Sequence, residues 1–131
     1  MFLLTLKALV GLIFNCEVEE VDLIEFETFL EVDMRIGRVI RVESFPEAVK
    51  PAIKLWIDFG EDIGLKQSSA QITVNYSHED LIGKNVVAVV NLKSRRIASF
   101  TSEVLVLGAM ASNGITLLTT DKEVKFGQRI Q

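Results

Sequence analysis

The sequence predicts an all-β fold, a five-stranded Greek-key barrel with short flanking helices and an N-terminal extension. Short apolar or alternating runs recur between Gly and Pro breaks, and no helical periodicity is long enough for an α/β fold. One short helix signature falls between the third and fourth strands, which is the outline of a small Greek-key barrel. With 131 residues the chain can bury one modest core and is too short for two ordinary domains. The expected division is an apolar and acidic extension over 1–26 and a single domain over 27–131.

Within the extension, Phe2 to Phe14 is apolar but interrupted by Thr5, Lys7 and Gly11, short of the roughly 20 residues a membrane span needs. No basic region precedes it, as a signal peptide would require. The single cysteine, Cys16, excludes an intrachain disulfide and suits a reducing compartment, so the expected location is the cytoplasm. Residues 17–33 carry eight Asp/Glu and no Lys/Arg, without the spacing of a metal site, and read as a solvated helix face. Leu23, Phe26 and Leu30 fit one face of a short helix. Leu30, Val32, Met34 and Ile36 then alternate like the start of a strand.

The first strand runs from Met34 through Ile36, Val39, Ile40 and Val42 and ends at Phe45-Pro46, where proline removes a ladder donor. In the second, Ile53, Leu55, Ile57 and Phe59 alternate with Lys54, Trp56 and Asp58 before Gly60, giving one core face and one wet face. Ile63 to Val74 is a weaker, polar third strand. Ser77 and Asp80 form a capping-box pattern for a short helix from His78 to Ile82, which Gly83 terminates. Val86 to Val90 and Val104 to Leu107 are continuous apolar runs suited to buried strands. Gly114 to Thr119 and Val124 to Ile130 are expected as further short strands. This outline is that of the OB-fold.

Catalysis is not expected. The only histidine, His78, sits at the start of the small helix, and no serine occupies a nucleophile elbow. One His and one Cys far apart make no zinc set, and there is no phosphate-binding glycine loop, so no metal and no cofactor are expected. The hydrophobic fraction of 49% is high for so small a chain and favours an oligomer.

The net charge of −4 conceals an asymmetry. Residues 1–62 hold 6 Lys/Arg against 13 Asp/Glu, whereas residues 63–131 hold 8 against 5. Screening confines each charge to a neighbourhood of roughly 10 Å, so a basic patch can meet an anionic polymer on a mildly acidic protein. The densest patch is Lys93, Arg95 and Arg96, between two apolar runs. Guanidinium groups suit phosphates and stack on unpaired bases. Phe100 just beyond is either a stacking residue or a core anchor.

Taken in order, Asp33–Gly37, Phe45–Ala48, Pro51–Leu55, Ile57–Gly60, Lys66–Ile72, Leu81–Lys84, Val86–Asn91, Arg95-Arg-Ile-Ala98 and Ser102–Gly108 resemble the CsaA-like proteins of the tRNA-binding-domain family, which includes the C-terminal appendage of some methionyl-tRNA synthetases. The resemblance covers about residues 27–131. It implies an OB-fold homodimer that binds tRNA by shape and phosphate backbone, with a role as a chaperone of unfolded or presecretory polypeptides. It places tRNA contacts on Lys66, Gln67, Ser68, Ser69, Asn91, Arg95, Arg96 and Ser102, and Lys93 adds a charge beside them. Two departures stand out. Lys93-Ser94 replace a usual proline pair, which should loosen the loop, and Ser99 stands where glycine is usual. A chaperone would need apolar grooves, for which Trp56 and Met110 are exposed candidates.

Overall fold

The computed structural model describes residues 21–131. The run Phe2–Phe14, Cys16 and most of the expected extension over 1–26 lie outside the described residues. The chain forms helix α1 (Phe26–Leu30), strands β1 (Met34–Ser44), β2 (Ile53–Asp58) and β3 (Leu65–Ala70), helix α2 (His78–Leu81) and strand β4 (Asn85–Val89). Five short strands follow: β5 (Arg95–Ile97), β6 (Phe100–Ser102), β7 (Leu105–Val106), β8 (Gly108–Ala111) and β9 (Gly114–Leu117).

Alternation in β2 decides the inside of the molecule. Ile53, Leu55 and Ile57 are buried while Lys54, Trp56 and Asp58 point outward, the pattern a half-covered antiparallel strand requires. The long β1 is shared between two neighbours: residues 34–38 pair with β4 and residues 38–44 with β2, both antiparallel. A register shift between Val39 and Arg41 leaves Ile40 bulged and exposed, and this bulge lets one strand bend from one partner to the next. Val39 before it and Val42 after it both pack on the core, although strict alternation would separate them. At Gly37 a Cβ would come within 2.5 Å of Ile57 Cγ2 and 2.7 Å of Phe59 Cε1, so only glycine allows β1 to pass this close to β2 and its exit.

The sheet order β3-β2-β1-β4-β7 is nearly closed into an OB-like barrel. The gap between β3 and the approach to β7 is bridged by Glu103 N donating to Gln67 O (2.8 Å) and Ser68 Oγ donating to Val104 O (2.8 Å). Val39, Leu55, Ile57, Val86 and Ala88 are wholly buried inside it, each large side chain stabilising the fold by about 1.5–3 kcal/mol. Helix α2 plugs one end through buried Leu81. Its capping box forms as expected: Ser77 Oγ accepts from Asp80 N (3.2 Å) and Asp80 Oδ2 accepts from Ser77 N (3.0 Å), which holds the Asp80 carboxyl below the ordinary carboxylate range.

Three expectations change. The terminal strand expected over Val124 to Ile130 is an irregular tail. It bonds to β1 through Gln128 O and the backbone N–H groups of Gly127 and Ile130, but Gly127 at φ 89° turns it out of a ladder. Arg35 fixes this tail, with Nη1 on Gly127 O (2.9 Å) and a two-pronged bond to Asp33 that keeps the Asp33 carboxyl below its usual range. The third strand is shorter than Ile63 to Val74, because positive-φ Gly64 and the turn after Ala70 limit it. Helix α1 begins only at Phe26, so Leu23 lies outside it, and Phe26 and Leu30 remain exposed rather than forming a buried face.

Candidate nucleic-acid interface

The basic segment is a hairpin. β5 and β6 pair Arg95 with Ser102, Arg96 with Thr101 and Ile97 with Phe100, leaving Ala98 and Ser99 as a two-residue connection. Such tight turns need left-handed backbone, and Ala98 supplies it at φ 53°, the one positive-φ residue other than glycine among the described residues. The strain therefore falls on Ala98, one position before Ser99, where the resemblance had marked a missing glycine.

The hairpin lies on the outside of the barrel. Phe100 is buried against Phe45 (ring centroids 5.5 Å apart) and meets Trp56 edge-on at 5.9 Å. Ala52, Ala48 and Ile97 complete this second, smaller apolar cluster. Of the two readings of Phe100, the anchor is the one the structure adopts. Lys54 Nζ lies 4.8 Å from the Phe45 ring and 5.4 Å from the Phe100 ring, and the Arg41 guanidinium lies 4.5 Å from the Trp56 ring, so cations cap the cluster.

The pleat divides the expected contacts on β3. Gln67 and Ser69 face outward with Trp56 and Lys54, their register partners, and are tied to the hairpin: Gln67 Nε2 donates to Thr101 O (2.7 Å) and Ser102 Oγ accepts from Ser69 N (3.0 Å). Ser68 faces the core, is 1% exposed and spends its hydroxyl on Val104 O. This corrects its expected role: it closes the barrel and offers no surface to a ligand. Lys66 lies on the same side of the strand as Ser68, with Nζ 3.9 Å from Glu103 Oε2.

Asn91 is likewise a tie. Its amide donates to Glu31 O (2.6 Å) and accepts from Asp33 N (2.9 Å), pinning the end of β4 to the turn before β1. Lys93, Arg95 and Arg96 are exposed, but the two arginines leave the hairpin on opposite faces. Arg95 and Lys93 line a groove of about 610 Å³ with Ser69, Ser102, Leu92 and Met110. Arg96 faces away from it, its Nε on Ala98 O at 3.2 Å. Arg41 and Lys54 were not among the expected site residues. Lys54 was legible as a wet-face position, but the bulge at Ile40 reverses the alternation that would have placed Arg41. Among the described residues there is no cluster of His, Cys, Asp and Glu that could hold a metal, and no helix long and apolar enough to cross a membrane.

An OB-like barrel that carries a cationic hairpin on its outer face belongs to the class of small domains arranged to meet an extended anionic partner. Residues 34–129 match the family described as "Putative tRNA binding domain", and the chain belongs to that family. It is similar to the crystal structure titled CsaA chaperone protein from Picrophilus torridus, at 49% identity and TM-score 0.80, covering 83% of this chain and all of that one. A CsaA chaperone structure from Bacillus anthracis is similar at 50% identity and TM-score 0.79, covering 84% and all of that chain. The methionine–tRNA ligase of Methanocaldococcus jannaschii is 32% identical over 114 residues, 86% of this chain but 17% of the ligase. The chain thus spans about one sixth of the length of the curated relatives it matches.

Proposed function

We propose that this chain is a non-catalytic, cytoplasmic tRNA-binding protein that recognises tRNA by shape and phosphate backbone as a homodimer. The observation that carries the reading is the hairpin of a tRNA-binding-domain barrel, which presents Lys93, Arg95 and Arg96 to solvent on an otherwise acidic chain. The contacting set is Lys93, Arg95, Arg96, Gln67, Ser69 and Ser102, with Lys66 at its margin. Exposed Leu92, Leu105, Met110 and Leu118 give the apolar surface a second copy would cover. Two-fold symmetry would then present two hairpins to one folded RNA. The domain proper is residues 27–131, preceded by an extension over 1–26.

Replacing both Arg95 and Arg96 by alanine is expected to weaken binding to all tRNAs alike. It should also flatten the dependence of log affinity on log salt by about 0.7–0.9 for each phosphate no longer neutralised. Filter binding at several salt concentrations checks this, and a double variant with unchanged affinity and slope removes the assignment.

A second reading, in which that apolar surface stays open instead of being covered by a second copy, is favoured by the groove beside the hairpin, where Leu92, Ile97, Leu107, Met110 and Ile115 lie next to Lys93 and Arg95. Such an amphipathic groove suits an unfolded or presecretory polypeptide. The expected outcome is slower light-scattering growth of an aggregating client, relieved by added tRNA because Arg95 and Lys93 serve both ligands. Client aggregation at the same rate with and without the protein rules this reading out.

A further inference from the structure

Beside the hairpin, the outer face of β1 and β2 carries a side-chain arrangement that backbone and shape recognition leaves unused. The Arg41 guanidinium lies on the indole of Trp56, 4.5 Å from the ring centre, and the indole in turn meets Phe100 of the hairpin. The Arg41 side chain is nevertheless 62% exposed. One side of the guanidinium is thus against the indole while the rest of the side chain is open to water. Its edge is engaged as well, because Arg41 Nη2 donates to Glu43 Oε2, two residues along the same strand. Cross-strand pairing of Arg41 with Trp56 and of Glu43 with Lys54 fixes all four side chains on one face.

This geometry selects its ligand. A phosphate or a carboxylate binds a guanidinium in plane, through the N–H fork. Here Glu43 takes one of the five N–H groups and sets a carboxylate beside the others, so a second anion approaching in that plane meets like charge. A neutral nucleobase meets no such repulsion, and the planar, delocalised cation is the complement of its π-face. Lys54, seated over Phe45 and Phe100 on the next strand, has no carboxylate within 4 Å among the described residues and supplies the positive field for the phosphate that accompanies the base.

We propose that Arg41, layered on Trp56, is a stacking seat for one unpaired base of the bound RNA, with Lys54 beside its phosphate. The proposal rests on the tRNA-binding reading and deepens it: recognition includes a single-stranded segment as well as the helical backbone held by the hairpin. Aromatic support behind the guanidinium is essential to it, because the indole holds the intrinsically planar cation in place while the base approaches.

Trp56 is the single tryptophan of the chain and touches both Arg41 and Phe100, so its fluorescence reports on the seat and on the hairpin beside it, and the blunt-ended duplex, which would engage the hairpin alone, is the control. The full-length protein is titrated with tRNA, with a six-nucleotide oligoadenylate and with a blunt-ended RNA duplex, and binding is followed in parallel by anisotropy of end-labelled RNA. The expected result is a change in Trp56 emission with tRNA and oligoadenylate but not with the duplex. Oligoadenylate affinity should fall about tenfold in both Arg41→Ala and Arg41→Lys, since lysine keeps the charge but not the plane. Arg41 is exposed, so neither variant threatens folding. Full rescue by Arg41→Lys, or tRNA binding by anisotropy with unchanged Trp56 emission, overturns the stacking seat and leaves tRNA binding intact. Failure of all three RNAs to bind overturns the tRNA reading and the seat together.

Discussion

The two apolar clusters of this protein differ in kind. The barrel interior is mostly aliphatic, with Phe59 inside it and Tyr76 packed at its edge, and free of charge, with Val39, Leu55, Ile57 and Val86 wholly buried. The outer cluster, Phe45, Ala52 and Phe100 with half-buried Trp56, is small and aromatic and is roofed by Lys54 and Arg41. Burial in the first stabilises the whole fold. Burial in the second holds one hairpin against a finished barrel and leaves its cations in water. A cluster too small to stabilise a domain is sufficient to position one hairpin, and its cationic roof stays in water beside the candidate site.

Substitutions that separate stability from binding should respect this division. Leu55→Ala, in the closed interior, is expected to cost about 3 kcal/mol in urea unfolding, with RNA affinity of the remaining folded protein unchanged. Phe100→Ala should cost somewhat less, about 2 kcal/mol, because the outer cluster is small and lies at the surface, so the loss is mainly the transfer of the ring to water. It should nevertheless weaken tRNA binding about tenfold by releasing the hairpin, as filter binding would show. An equal loss of stability in the two variants would erase the distinction. The smallest effect is expected at Ala98, where glycine removes a left-handed strain and should stabilise by about 0.5 kcal/mol in the same unfolding assay. If Ala98→Gly is instead destabilising, added chain entropy outweighs the strain at the turn.

Much of the fold was legible because its signals are local. Alternation at 53–59 marked β2 with its wet and dry faces, the continuous runs marked β4 and the vicinity of β7, and Ser77 with Asp80 marked the capped α2. The tail over 124–130 misled because its apolar spacing is strand-like while the left-handed turn at Gly127 leaves only one isolated bridge, Arg129 to Arg35. Within the candidate site, Lys93, Arg95 and Arg96 were visible as charge against an acidic background. Ser68 and Asn91 were not separable from their neighbours, since their partners, Val104 O, Glu31 O and Asp33 N, are 36 to 60 residues away in the chain.

Composition, period-two patterning and turn chemistry by themselves determined an all-β domain with a basic segment near residue 95, because each depends on neighbours a few positions apart. Only the tertiary structure decided which side of β3 faces solvent, that the basic segment is a hairpin anchored by Phe100, and that Arg41 joins Trp56 beside it. Those outcomes depend on a bulge at Ile40, on barrel closure between Gln67 and Glu103, and on contacts between distant strands. A one-residue shift in register reverses every face it touches, and no local pattern records it.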